Sequence, residues 1–82
     1  MQGTKFEVIR DDDGIVSGYK LGSYYLMKRY IWMNTYDWII NKTGENYYFE
    51  NDFWKLVHAG EIELTLSCKQ GKQRLVELQK GA

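Results

Sequence analysis

The chain has 82 residues, and its 11 Lys and Arg are balanced by 11 Asp and Glu, so its formal net charge is zero. A chain of this length supports one hydrophobic core, and we interpret residues 1–82 as a single domain. A balanced charge argues against a strongly basic nucleic-acid platform and favours self-association. No run of 18 apolar residues occurs, so the sequence predicts no membrane-spanning helix.

The single cysteine bears on the cellular compartment. Cys68 has no second cysteine with which to form an internal disulfide, which is typical of a reducing compartment. The first residues lead into a strand-like pattern without the apolar segment of a secretory signal. The sequence therefore predicts a cytoplasmic protein.

The N-terminal third has the pattern of a β-hairpin. Residues 4–10 alternate apolar and polar side chains, which predicts a strand, and Asp11 to Gly14 have the composition of a tight turn. A second apolar run starts at Ile15. We interpret Gly18 and Gly22 as bulges or a bend within a long second strand.

Residues 24–33 fit two structures. Ser23 has the side chain of a helix cap, but Tyr, Trp and Ile prefer strands and the helical period is weak, so a strand is predicted, bent near its end. Residues 36–40 alternate as a further strand. Residues 41–45 then read as a turn, and residues 46–50 as the strand that completes this hairpin.

The C-terminal part is predicted to contain one helix and two strands. Asn51 or Asp52 would cap a helix of about two turns that ends at Gly60. Residues 62–68 alternate cleanly, residues 70–72 resemble a turn, and Arg74, Val76 and Leu78 would share one face of a last strand.

The order of these elements predicts an α+β fold. We expect a small antiparallel meander of five or six strands with one short helix packed on it, and the alternative is a small, partly open β-barrel. If Leu64 is in the core, its replacement by Ala should cost about 2 to 5 kcal/mol. The predicted core consists of Phe6, Val8, Trp38, Ile40, Leu56, Val57, Leu64, Leu66 and Val76.

Residues with reactive side chains are few and scattered. One His58 and one Cys68 cannot form a structural zinc site within the chain, and no nucleophile–base pair is recognisable. Glu61 and Glu63 have the spacing of two carboxylates on one strand face, which is typical of a solvated surface. The sequence therefore predicts a protein that is not an enzyme and that needs no metal or cofactor.

Aromatic residues are concentrated in the middle of the chain. Ten of the 13 aromatic side chains fall between positions 19 and 49, more than so small a core can hold, and exposed rings usually indicate a partner. A protein–protein interface is the first interpretation, because Tyr, Trp and Arg are enriched there. The alternative is a module that stacks single-stranded nucleic acid on Tyr and Trp and neutralises its phosphates with Lys and Arg. A homodimer formed through an aromatic surface or a sheet edge is a further hypothesis. The candidate partner-binding residues are Tyr24, Tyr25, Lys28, Arg29, Tyr30, Trp32 and Tyr47.

One resemblance covers the middle half of the chain. The run from Gly18 to Leu26, followed by Trp38-Ile39-Ile40 and Tyr48-Phe49 with a short helix behind, resembles small uncharacterised proteins of bacteriophages and mobile elements. The resemblance assigns no functional residue. It implies a chain that acts by binding, for example as an inhibitor of a host or defence protein.

Overall fold

The structure is a computed structural model that describes residues 5–81. Five strands and two helices follow one another in the described residues, with both helices in the C-terminal half. Their bounds are β1 Glu7–Arg10, β2 Val16–Leu21, β3 Tyr24–Trp32, β4 Thr35–Asn41, α1 Glu50–His58, β5 Glu63–Thr65 and α2 Cys68–Gly81.

The five strands form one antiparallel sheet in the order β1-β2-β3-β4-β5. The predicted α+β class and antiparallel meander are confirmed. The barrel alternative is wrong, because β1 and β5 stay at opposite edges of the sheet and do not pair with each other in the part of the chain that the structure describes.

The predicted turn at Asp11–Gly14 is confirmed, and the side chain of Asp11 stabilises it. Oδ1 of Asp11 accepts hydrogen bonds from the backbone N–H groups of Asp13 and Ile15, each at 2.9 Å. Gly14 has a φ of 80°, a left-handed conformation that glycine adopts without steric cost. The chain therefore reverses tightly between β1 and β2.

The predicted bulge in β2 lies next to Gly18: Ile9 pairs with Gly18 but Arg10 pairs with Val16, so Ser17 is the extra residue. For Gly22 the interpretation is wrong. Gly18 pairs regularly with Met27, and a side chain there would collide with the backbone of Leu26 and the side chain of Met27. Gly22 lies outside the strands, in the two-residue turn between β2 and β3, where its φ is 65°. The role of Gly18 is thus close packing of two strands, and that of Gly22 is a left-handed turn.

Residues 24–32 form the longest strand, which confirms the strand interpretation over the helical one. Its pairing with β4 is regular up to Tyr30 opposite Tyr36 and then shifts by one residue, so that Trp32 lies opposite Thr35. Met33, in the following turn, has a φ of 45°. The expected bend at the end of this strand is therefore a bulge followed by a tight turn.

The strand expected over residues 46–50 is absent, since the structure has an irregular loop from Lys42 to Phe49. Asn41, which is buried, holds this loop. Its Nδ2 donates to the carbonyl oxygen of Glu45 at 2.9 Å and to the hydroxyl of Tyr48 at 2.6 Å, and its Oδ1 accepts from the N–H of Gly44 at 2.9 Å. These bonds keep the loop folded back, so its backbone cannot continue the ladder.

The short helix is confirmed, but its expected cap is wrong. Helix α1 begins at Glu50, Phe49 is its flanking residue, and no side chain caps it. The acidic Glu50 and Asp52 lie in its first turn, where carboxylates interact favourably with the free N–H groups. Gly60, just beyond the helix, has a φ of 80°, as predicted for a helix stop.

The two strands expected at the C-terminus are largely replaced by a second helix. Strand β5 has only three residues, because the chain turns at Ser67, whose Oγ accepts a hydrogen bond from the N–H of Gln70 at 3.2 Å. The turn predicted over 70–72 and the strand predicted over 74–78 both lie within α2, so both are wrong.

The two helices cover opposite faces of the sheet. Phe53 of α1 packs with Met27 and Ile39, and with Ile62 just before β5. Leu75 of α2 packs instead with the neighbouring strand residues Leu26 and Ile40. Because successive residues of a strand point to opposite faces, the helix–sheet–helix arrangement makes two separate small cores.

Of the predicted core, Ile40 is buried, and five other residues are half-buried. Val8, Leu64 and Leu66 are exposed, by 45%, 38% and 88% respectively, so their assignment to the core is wrong. Val8 and Leu64 lie on the edge strands β1 and β5, and Leu66 lies just after β5, where neither helix shields them. The half-buried members are Phe6, Trp38, Leu56, Val57 and Val76.

The described residues contain two helices, α1 and α2. Neither is long and apolar enough to cross a bilayer.

Candidate partner-binding surface

The hairpin of β3 and β4 extends beyond the rest of the sheet. The last residue of β3 that pairs with β2 is Met27, opposite Gly18. On the other side, β5 pairs only with Trp38, Ile39 and Ile40 of β4. Residues 28–37 therefore form a two-stranded ribbon that pairs with no further strand on either edge among the described residues. A ribbon of this kind is well placed to enter a partner surface.

The end of this ribbon is apolar and exposed. We call residues 30–36, which are Tyr-Ile-Trp-Met-Asn-Thr-Tyr, the hairpin tip, and none of them is charged. Folded monomers rarely leave such a continuous apolar surface in water unless it binds something. The exposed fractions are 50% for Tyr30, 55% for Ile31, 72% for Trp32, 78% for Met33 and 40% for Tyr36.

Both sides of the hairpin tip carry large side chains. Tyr30 and Tyr36 lie opposite each other, and their rings make an edge-to-face contact at 5.5 Å between centroids. Trp32 lies opposite Thr35, the residue next to Tyr36, and therefore projects on the other side of the ribbon. The tip is thus a two-sided apolar projection.

The base of the ribbon is held by an ion pair. The guanidinium of Arg29 donates to the carboxylate of Asp37 from Nη2 at 2.7 Å and from Nε at 3.2 Å. The same guanidinium lies 3.6 Å from the ring centroid of Phe53 in α1. Arg29 therefore connects the ribbon to α1, and its charge is already neutralised by Asp37.

A row of aromatic rings continues from the tip across the sheet. Tyr36 contacts Trp38 at 5.9 Å, Trp38 stacks on Tyr19 at 6.2 Å, and Tyr19 meets Phe6 at 6.3 Å, all between centroids. The Nζ of Lys28 lies 4.7 Å from the ring centroid of Tyr36. These contacts make the base of the ribbon a packed aromatic surface that supports the exposed tip.

The structure does not bring the seven candidate residues together. Tyr30 and Trp32 lie in the hairpin tip, and Lys28 and Arg29 lie at the base of the ribbon. The remaining three residues, Tyr24, Tyr25 and Tyr47, lie elsewhere.

Tyr24 and Tyr25 lie at the other end of β3, half-buried on opposite faces of the sheet. The Nζ of Lys42 lies 5.2 Å from the Tyr24 ring centroid, and that of Lys20 lies 5.3 Å from the Tyr25 ring centroid. Tyr47 is 70% exposed but lies in the loop after β4, which is also remote from the tip. These three residues do not extend the tip surface.

Sequence reasoning missed the three other large apolar side chains of the hairpin tip, namely Ile31, Met33 and Tyr36. The signal that was present is the uncharged run 30–36, bounded by Lys28 and Arg29 on one side and by Asp37 on the other. An uncharged apolar run that includes a hairpin turn is unusual, because turns are ordinarily polar and exposed.

A second surface feature is an open groove of about 960 Å³ between the loop after β4, α1 and α2. The rings of Tyr47 and Phe49 border it and meet edge-to-face at 5.5 Å. Charges of both signs line the groove, and Arg74 is bound to Glu63 at 2.7 Å. The polar groups therefore do not converge on one kind of ligand.

Titratable groups in the described residues form no recognisable catalytic or metal-binding arrangement. No group of three His, Cys, Asp or Glu side chains is placed to hold a metal ion in residues 5–81. Burial raises the pKa of the Tyr48 hydroxyl above its ordinary value. A hydrogen bond to Glu63 raises the pKa of Arg74, which keeps an already permanent charge.

Comparison with known proteins gave no match to a family model, to a curated protein or to a solved structure.

Proposed function

We propose that the protein is a small, non-enzymatic cytoplasmic binding protein that engages a protein partner through the hairpin tip. The observation that carries the proposal is the exposure of five large apolar side chains on an uncharged projecting hairpin. A binding protein that inhibits or modulates a host protein, as the resemblance to phage proteins implies, fits this surface. The single Cys68 is in keeping with a reducing cytoplasm.

The chemistry of the tip fits the centre of a protein interface. Trp and Tyr are the side chains that most often dominate binding energy there, especially when the partner surrounds and desolvates them. Trp32 is 72% exposed and Met33 is 78% exposed, so both have most of their surface left to bury. Because the two sides of the tip are both apolar, a cleft buries more of the tip than a flat surface does.

Single-stranded nucleic acid is the alternative ligand, favoured by the aromatic row and Lys28. Two observations make it the weaker choice. Arg29 is committed to Asp37, and the ammonium group of Lys28 occupies the ring face of Tyr36, where a base would stack. Few cations therefore remain to neutralise phosphates.

A second copy of the chain is another occupant that the proposal accommodates. Pairing through sheet edges is poorly supported, since both edge strands are short: β1 has four residues, with a register shift against β2 between Ile9 and Arg10, and β5 has three. A homodimer would therefore form through the hairpin tip, and it would disappear when the tip is made polar.

Changing the tip tests the proposed function directly. The double variant Trp32→Ser/Met33→Ser should fold normally and lose partner binding by at least about tenfold, because two large apolar contacts are removed. Tagged wild-type protein captures the partner from a lysate of the cells that produce it, and affinities are then measured with the purified partner. The matched control is Leu66→Ser, which polarises a side chain that is 88% exposed on another part of the surface.

The contrary outcome is equally clear. If the tip variant binds as tightly as the wild type, the binding surface lies elsewhere. A titration with single-stranded oligonucleotides at two salt concentrations separates the alternative ligand, because affinity for nucleic acid falls steeply with salt. Sedimentation equilibrium of the free protein separates the homodimer.

A further inference from the structure

The acidic turn and the hairpin tip lie at the same end of the sheet. In an antiparallel meander the β1–β2 turn and the β3–β4 turn share one end, and the β2–β3 turn lies at the other. Asp11, Asp12 and Asp13 occupy the β1–β2 turn, and the hairpin tip ends the β3–β4 pair. The two features therefore face the same direction.

The strand register sets their relative depth. Continuing the pairing of Gly18 with Met27 places Val16, the first residue of β2, level with Arg29. Strand β3 extends three residues further, to Trp32, and at about 3.3 Å per residue this amounts to about 10 Å. Neighbouring strands are spaced by about 4.8 Å, so the acidic turn lies about 10 Å to one side of the ribbon. Residues 11–15 continue beyond Val16 in the same direction, so the acidic turn lies beside the hairpin tip.

Two carboxylates of the acidic turn, those of Asp12 and Asp13, are available to interact with a partner. The carboxylate of Asp11 is used within the turn, where it accepts two backbone hydrogen bonds. The guanidinium of Arg10 donates to the carbonyl of Gly14 at 2.9 Å, and so remains within the turn. Asp12 and Asp13 are exposed and form no ion pair with any residue that the structure describes.

This end of the molecule is therefore apolar at its tip and negatively charged at its side. The acidic turn has three carboxylates, those of Asp11, Asp12 and Asp13, and one cation next to them, Arg10. An anionic membrane or a nucleic acid would be repelled by Asp12 and Asp13, whereas a basic protein surface would be attracted.

We infer that the partner is a protein with an apolar cleft that accepts the hairpin tip and with Lys or Arg side chains on the cleft rim that face Asp12 and Asp13. The inference rests on the proposed function and adds the chemistry of the partner. The apolar cleft accounts for affinity, because it desolvates Trp32 and its neighbours. The basic rim accounts for orientation and for the rate of association, since charges at a rim mainly steer the encounter.

Charge reversal tests the rim. In the variant Asp12→Lys/Asp13→Lys, the association rate constant for the captured and purified partner should fall at least about tenfold at low salt, and the deficit should shrink at high salt. The matched control is Glu45→Lys/Glu61→Lys. It makes the same change in net charge at exposed positions in the connection between β4 and β5, at the other end of the sheet. This control should associate at the wild-type rate.

Photo-crosslinking tests the geometry. The photoreactive amino acid benzoylphenylalanine is placed in the full chain at position 32 in one variant and at position 13 in another. Mass spectrometry should locate the first crosslink among apolar partner residues, and the second within a partner segment that contains Lys or Arg.

The outcomes distinguish the inference from the proposed function. If Trp32→Ser/Met33→Ser loses binding but the Asp12→Lys/Asp13→Lys variant associates as fast as the wild type, the basic rim is refuted and the proposed function stands. If the position 13 crosslink falls in an acidic or apolar segment, the rim is also refuted. If the tip variant keeps full affinity, or if no protein is captured, both fail. Binding to vesicles with 30% phosphatidylserine that matches the captured protein in strength would likewise overturn the inference.

Discussion

Arg29 and Asp37 face each other across β3 and β4, and their two hydrogen bonds, at 2.7 and 3.2 Å, close the base of the projecting ribbon. Their side chains are only 13% and 24% exposed, so solvent screens the pair less than it screens surface pairs. The guanidinium also stacks on Phe53, which is fully buried. One side chain therefore joins the ribbon to the core beneath α1.

The first prediction concerns this pair. Replacing Asp37 by Ala leaves the Arg29 guanidinium half-buried without its partner, and should lower the free energy of unfolding by about 2 kcal/mol. Urea denaturation followed by Trp fluorescence measures the loss. The control is Glu77→Ala, which removes an exposed ion pair with Arg74 and should change stability by about 0.5 kcal/mol or less. Equal effects of the two variants would contradict a structural role for Arg29.

The second prediction concerns the contact between α2 and the sheet. A Cβ atom added at Gly71 would collide with the side chain of Leu26, which is fully buried. Gly71→Ala should therefore destabilise the protein by about 1 to 3 kcal/mol, although Ala favours a helix over Gly by about 1 kcal/mol. Thermal or urea unfolding measures the change.

A compensating substitution makes this prediction specific. Leu26→Val removes one methylene at the point of collision, so the double variant should lose less stability than the sum of the two single variants. Strict additivity would indicate that residue 71 does not contact Leu26, and would contradict the placement of α2.

The third prediction compares Leu75, which is buried between α2 and the sheet, with Leu66, which is exposed just after β5. Leu75 has no exposed surface, and its replacement by Ala should cost about 2 to 5 kcal/mol because a cavity is left. Leu66 is 88% exposed, and the same replacement there should change stability by about 0.5 kcal/mol or less. Leu64, at 38% exposure, should lie between them, below the range expected from the sequence pattern. If the loss of stability were instead largest at Leu66 and smallest at Leu75, the long strand that the sequence pattern predicted would be supported.

The N-terminal half of the sheet was predictable because local signals agree there. The Asp11–Gly14 turn chemistry and the β-preferring residues of 24–32 both indicate the structure that forms. In the C-terminal half they conflict. Ile62, Leu64, Leu66 and Cys68 alternate as a strand would, yet no neighbouring element covers Leu64 and Leu66.

Helix α2 shows what single-sequence reasoning overlooked. Its buried or half-buried positions Cys68, Gly71, Leu75 and Leu78 follow a spacing of three and four, and Gln, Lys, Arg, Glu and Leu between and around them are good helix formers. Gly71 was interpreted as a turn residue, whereas its small size serves the approach to Leu26. A glycine chosen for packing has no separate signature in the sequence.

The candidate surface was predictable only in its composition. The excess of rings indicated that some are exposed, but their number does not show which end of β3 is covered. Tyr24 is covered because α2 crosses that end, where Gln79 donates to the carbonyl of Leu21 at 2.8 Å. The tip is free because the pairing of β3 with β2 and of β4 with β5 ends before reaching it.

The last prediction concerns Tyr48 and the loop that replaced an expected strand. Burial raises the pKa of its hydroxyl above the ordinary value near 10, so the folded state holds the neutral form more tightly than the unfolded state does. The stability that this contributes is fully present below the unfolded pKa of about 10, and is lost as the pH rises through the higher folded pKa.

Tyr48→Phe removes the ionisable group together with the hydrogen bond from Asn41. It should therefore be less stable than the wild type at pH 7 by about 1 kcal/mol, and this deficit should shrink above about pH 10. Urea denaturation of both proteins at pH 7, 9 and 10.5 measures the difference, and Tyr47→Phe, at a ring that is 70% exposed, serves as the control. A deficit that stays constant or grows with pH would show that the Tyr48 hydroxyl is not held in its neutral form by the folded loop.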